Sequence, residues 1–240
     1  MVAQTATLTV VCGLLVALAF GGVMQMPAYR SDLQLFEQIA NEYPDFYYGN
    51  LGVGIAHQKA GHPELALRPL QRAVRRSGFM QPDDERRGQA ERWLGLAYLT
   101  LGRTTEAVAQ LAQAAELDPE DAQIQVNLAV AYLQMGRMSD AESALETALT
   151  LDPEFGEAEL NLGIVLGQRA AHALALPHFR RAAAMLPGLA DAHYNLGNGY
   201  ARVGRTNEAI ESYRRALQIQ PNHAAALSNL RVVMARQRAP

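Results

Sequence analysis

The chain has 240 residues, 49% hydrophobic and 19% charged, with a formal net charge of −3. That balance gives no general electrostatic pull toward nucleic acid or an anionic membrane. Its one cysteine, Cys12, lies near the N-terminus, so a disulfide framework, a cysteine-ligated metal and a cysteine nucleophile are excluded from residues 27–240.

The first segment, residues 1–30, contains Leu8–Met26, which carries no charged residue. At about 1.5 Å per residue a helix of this length nearly spans a bilayer core of roughly 30 Å. A membrane anchor, a cleaved signal segment ending near Ala17–Ala19 and a buried helix are the three readings. The expectation is a single N-terminal transmembrane helix, because no basic region precedes the run as a signal peptide requires. Only Arg30 closely follows it, and the rule that positive flanks stay inside leans toward a cytoplasmic C-terminus. A large domain is translocated regardless of such charges, and one without cysteine tolerates an oxidising compartment. We therefore expect the rest of the chain outside the cytoplasm, in a periplasmic position, with the cytoplasmic side as the alternative.

Residues 31–46 read as one amphipathic helix with Phe36 on its apolar stripe. From residue 88 the chain repeats itself every 34 residues. Leucine recurs at Leu94, Leu128, Leu162 and Leu196, each followed by a small residue: Gly95, Ala129, Gly163 and Gly197. Alanine recurs at Ala107, Ala141, Ala175 and Ala209, and again at Ala114, Ala148, Ala182 and Ala216. Each block closes on Pro119, Pro153, Pro187 or Pro221. A fixed period of this length marks a solenoid. Within each block two apolar stripes at helical spacing are separated by Gly102, Gly136 or Gly204, residues that tolerate the left-handed turn after a helix. Every block is thus a helical hairpin. An earlier block carries Gly54, Gly61, Ala66, Leu70 and Ala73. The boundaries are 47–87, 88–121, 122–155, 156–189 and 190–223, with a capping helix over 224–240. Two departures stand out. Ala170 replaces the turn glycine, and Pro69 and Pro177 fall inside second helices, where proline removes a hydrogen bond; kinked or late-starting helices are expected there.

These residues resemble the tetratricopeptide repeat (TPR) family over Tyr47–His223. The resemblance implies an all-α, right-handed superhelical solenoid of helical hairpins whose concave face is lined by the first helix of each hairpin. It implies no catalytic activity. The repeats are also similar to those of O-linked N-acetylglucosamine transferase, in which an asparagine ladder grips substrate peptide; its glycosyltransferase domain is not expected here.

One column fits that use: Asn127, Asn161, Asn195 and Asn229, spaced by 34 residues and each just before the recurring leucine. An asparagine amide offers a donor and an acceptor, the complement of a peptide bond. With neighbouring helices about 8–10 Å apart and an extended peptide advancing about 3.3 Å per residue, each asparagine would meet every third ligand residue. Trp93 occupies the same column earlier in the chain, as a stacking surface or a half-buried helix residue. Inward positions also include Arg92, Glu157, Asp191 and Asn198. They lack the basic set of a carboxylate clamp, and the two acids favour a basic segment. The six histidines show no i, i+4 pair of the kind that binds metal on a helix. No cofactor, metal or nucleic acid is expected. The expected function is a membrane-tethered scaffold holding an extended segment of a partner protein; self-assembly into homo-oligomers and service as an accessory subunit of an enzyme complex are the alternatives.

Overall fold

The structure is a computed structural model and describes residues 29–75 and 84–238. The described residues form twelve helices and no strand. They are α1 (Tyr29–Glu42), α2 (Tyr47–Lys59), α3 (Pro63–Val74), α4 (Asp84–Thr100), α5 (Thr104–Leu117), α6 (Ala122–Gln134), α7 (Met138–Leu151), α8 (Gly156–Gln168), α9 (His172–Met185), α10 (Ala190–Arg202), α11 (Thr206–Ile219) and α12 (Ala224–Arg238). Hairpins α2/α3, α4/α5, α6/α7, α8/α9 and α10/α11 stand between a lone α1 and a lone α12. The first helix of the second hairpin reaches back to Asp84, four residues before the repeat written from Gly88.

Each hairpin turns by the same device. Gly61, Gly102, Gly136 and Gly204 have φ between 71° and 79°. The following N–H reaches back five residues: Arg103 N to Tyr98 O is 2.9 Å, Arg137 N to Tyr132 O 2.8 Å and Arg205 N to Tyr200 O 2.9 Å. This pattern satisfies the carbonyls left over at a helix end. The fourth hairpin makes the same bond, Ala171 N to Leu166 O at 2.9 Å, but with Ala170 at φ 59°, the one non-glycine with positive φ among the described residues.

The core follows from the repeating small residues. Ala66, Ala107, Ala141, Ala175 and Ala209 are each at most 1% exposed, which lets the two helices of a hairpin approach closely. Leu70, Leu111 and Leu145 are fully buried, with Phe179 and Tyr213 in the same position later. Full burial of such a side chain contributes about 1.5–3 kcal/mol, repeated hairpin after hairpin. Apart from chain neighbours, the contacts between helices run along one side. First helices touch successively, α2 to α4, α4 to α6, α6 to α8, α8 to α10 and α10 to α12, whereas no second helix touches the next second helix. The stack therefore curves with α2, α4, α6, α8, α10 and α12 inside.

One expectation is corrected and another lies outside the described residues. Neither internal proline delays its helix: α9 begins at His172 and runs its 14 residues through Pro177, the length of α5, α7 and α11, and α3 runs unbroken through Pro69. The carbonyl deprived by Pro177 is that of Ala173. Both residues are exposed, so water can take the missing proton donor's place. The apolar run Leu8–Met26 lies outside the described residues, and among those described no helix is long and apolar enough to cross a membrane.

Candidate functional site

A hollow on the inner side lies where α8, α10 and α12 converge, a groove of about 750 Å³. Its floor is Phe179 and Tyr213 from the second helices behind, together with Ile164 and Val232. Asn195, Asn198 and Asn229 project into it, and Arg202 and Arg236 stand along it. Helical spacing explains the grouping: Asn195, Asn198 and Arg202 lie three and four residues apart and share one face of α10.

The polar atoms are already partly committed. Tyr213 Oη donates to Asn198 Oδ1 at 2.8 Å, and Asn229 Nδ2 donates to the same oxygen at 2.9 Å. Burial holds the Tyr213 hydroxyl above its ordinary pKa, with Asn229 and Arg202 acting in the opposite sense. Asn195 Nδ2 donates back to Asp191 O at 2.9 Å, and Asn161 Nδ2 to Glu157 O at 3.0 Å. With the donor turned onto its own helix, each of these two asparagines offers a ligand an acceptor. Asn198, whose oxygen already accepts twice, offers its amide donors. The column therefore presents mixed acceptors and donors rather than four identical amides.

The remaining sequence-derived candidates are scattered. Asn127 is buried, its Oδ1 accepting from Gln123 Nε2 at 3.3 Å. Glu157 is exposed at the start of α8. Asp191 Oδ1 accepts from His223 Nε2 at 2.9 Å. His223 in turn caps α12 by taking Ala226 N–H on Nδ1 at 3.2 Å and lies 4.9 Å from the Tyr194 ring. That hydrogen bond ties the acid to the protein's own helix. Arg92 and Trp93 sit far along the chain on α4, with the guanidinium 5.4 Å from the indole centroid and Lys59 Nζ at 6.0 Å on the same ring. Arg92 Nε stands 3.3 Å from Asp121 Oδ2, an ion pair without an aligned hydrogen bond.

Family profiles described as tetratricopeptide repeat match residues 52–122, 98–162 and 190–223. The chain is built from tetratricopeptide repeats. Solved structures agree on the fold of these repeats. YrrB, described as a TPR protein with an unusual peptide-binding site, is 22% identical over 82% of this chain and 98% of its own, with a TM-score of 0.58. The Cut9–Hcn1 hetero-tetramer of the APC/C gives a TM-score of 0.75 at 18% identity, over 89% of this chain and 41% of that one. MamA from Desulfovibrio magneticus RS-1 is 23% identical over 66% of this chain and 88% of its own, with a TM-score of 0.58. No curated protein matches the chain.

One feature of the TPR hairpins escaped the sequence reading. Four residues before each small residue of the first helix stand Asn50, Glu91, Gln125, Glu159 and His193. Asn50, Glu91 and Glu159 are at most 7% exposed. Glu159 receives Arg181 Nη2 at 3.0 Å and faces His178 Nδ1 at 2.6 Å, so its buried carboxylate joins α8 to a half-exposed Arg181 on α9. Glu91 differs: its Oε2 is buried without a hydrogen bond. The signal was a run of polar residues at one step of the 34-residue period, visible once that column is read for itself. Among the described residues no group of three or more metal-binding side chains comes together.

Proposed function

We propose that this chain is a non-catalytic, membrane-tethered TPR scaffold that holds an extended segment of a partner protein in the groove between α8, α10 and α12. The observation that carries the reading is the convergence of Asn195, Asn198 and Asn229 over an apolar floor in a trough of about 750 Å³. Backbone amides of an extended strand need acceptors and donors at intervals, with apolar space for alternate side chains between them. The asparagines and the floor supply both. The resemblance of the asparagine column to a peptide-gripping ladder, and the peptide-binding site in YrrB's description, support the same use. Arg202 and Arg236 line the groove and favour an acidic group at one end of the ligand. Tethering rests on Leu8–Met26, and a domain free of cysteine suits a periplasmic position.

The test is photocrosslinking in living cells. A benzophenone amino acid at Val232, in the groove, is compared with one at Glu211, which is exposed on the second helix α11. Protein adducts should form from Val232 and fall away when Asn195, Asn198 and Asn229 are all changed to Ala with helicity retained. Adducts of equal yield from both positions, or unaffected by the triple change, defeat the reading.

A further inference from the structure

The outer edge of the fourth hairpin breaks a pattern that three others keep. In α4/α5, α6/α7 and α10/α11 the turn glycine is followed by Arg103, Arg137 or Arg205. Each guanidinium lies over Tyr98, Tyr132 or Tyr200, at 4.5, 4.6 and 4.7 Å from the ring centroid. Each also pairs with an acid three residues on, Glu106, Asp140 or Glu208. The corresponding residues of α8/α9 are Ala171, Leu166 and Leu174. A charged cover has become an apolar one. Leu174 is 64% exposed, more than any other large hydrophobic side chain among the described residues.

Leu174 and Pro177 border a furrow of about 610 Å³ between α7 and α9, backed by Leu149. Its banks differ in sign. On α7, Glu142 is bound to Arg169 while Glu146 is exposed with no ion-pair partner among the described residues. On α9, Arg181 is bound to Glu159, while Arg180 lines an adjoining hollow and likewise has no ion-pair partner. Thus an apolar centre has one unpaired acid on one side and one unpaired base on the other.

We propose that two copies of the chain meet back to back through this face about a two-fold axis. Leu174 and Pro177 of each enter the furrow of the other, and Glu146 faces the partner's Arg180. A two-fold contact sets a patch against itself reversed, so it matches charges only when the patch carries both signs across its centre. This face does, and Leu174 and Pro177 join Leu149, Leu162 and Leu166 in one contiguous apolar lining, the kind of patch that marks a contact surface. The face belongs to the second helices, so the inner groove stays open, and the inference does not rest on the function proposed for that groove.

Sedimentation velocity of the full chain in mild non-ionic detergent tests it. The parent should sediment as a dimer. Leu174→Glu should weaken association by about tenfold or more, as should Glu146→Arg and Arg180→Glu singly. An equimolar mixture of the two charge-reversed chains should recover a dimer, because each then faces its opposite twice. All three residues are exposed, and circular dichroism verifies that the variants fold. A monomeric parent overturns the proposal. So does a dimer indifferent to Leu174→Glu, as one joined only through Leu8–Met26 would be, and so does a mixture that fails to pair.

Discussion

Phe179 of α9 fills the space where Gly163 of α8 has no side chain. A Cβ on Gly163 would stand 2.6 Å from ring carbons Cδ1 and Cε1. The same place in the second hairpin sets Gly95 against Leu111, and in the third Ala129 already stands opposite Leu145. Leu111 and Phe179 are both buried. The third hairpin already carries an alanine with a leucine at this step of the repeat, so a leucine can repack around the methyl by a change of rotamer that a planar ring does not have. Gly163→Ala should therefore destabilise by about 1–3 kcal/mol through overpacking, whereas Gly95→Ala should stay within about 1 kcal/mol of the parent because the gain in helix propensity offsets the crowding. Urea unfolding midpoints of the two variants decide this.

Ala170 turns the fourth hairpin in a conformation that glycine adopts at little cost. Ala170→Gly relieves about 1–2 kcal/mol of left-handed strain and gives back part of it to the freer unfolded chain. A net gain of up to about 1 kcal/mol is expected, read as a higher denaturation midpoint. An unchanged midpoint would show that the turn bears no strain.

Pro177→Ala restores an N–H opposite the Ala173 carbonyl within a helix that already runs through the site. The melting temperature should rise, by less than the roughly 3 kcal/mol of an interior proline because the deprived carbonyl is wet. Differential scanning calorimetry measures it, and a fall in melting temperature would mean that the proline ring itself packs usefully.

Glu91 titrates with the fold. Burial pushes its pKa from 4.5 up to about 7, and Arg87 offsets only part of that. The folded state then keeps a proton that the unfolded chain releases between these two values. Stability must fall as pH rises through that window and level off above it, by an amount on the order of 3 kcal/mol. Glu91→Gln, which places in α4 the residue that Gln125 already supplies in α6, should leave the urea midpoint unchanged near about pH 4 and raise it near about pH 8. Parallel pH profiles of parent and variant would refute the assignment.

The fold was legible because hairpin packing is written in size. Gly95, Ala107 and Ala114 admit close helices, and Gly102 admits the turn, so each residue announces its own geometry. The groove was legible only in outline. Asn195 and Asn229 were found by their spacing, but the hydrogen bonds that spend the Asn195 and Asn229 amides on Asp191 O and Asn198 Oδ1 depend on side-chain torsions that no period encodes. Arg202 and Arg236 were passed over because they lie seven residues beyond the asparagines, at the far ends of their helices. The delay expected from Pro177 failed for a related reason: whether a lost backbone bond is costly depends on which side of the helix faces water, and the residue type does not state it.

Contact between successive first helices, without contact between successive second helices, gives the protein unequal stiffness across its width. The first helices form a continuous inner seam and each second helix packs on the first helix that follows it, so hairpins are joined mainly toward the inner side and small rotations at each joint add up to a change of pitch. A long occupant can therefore be met by winding or unwinding the whole stack, with the buried leucines of each hairpin left undisturbed.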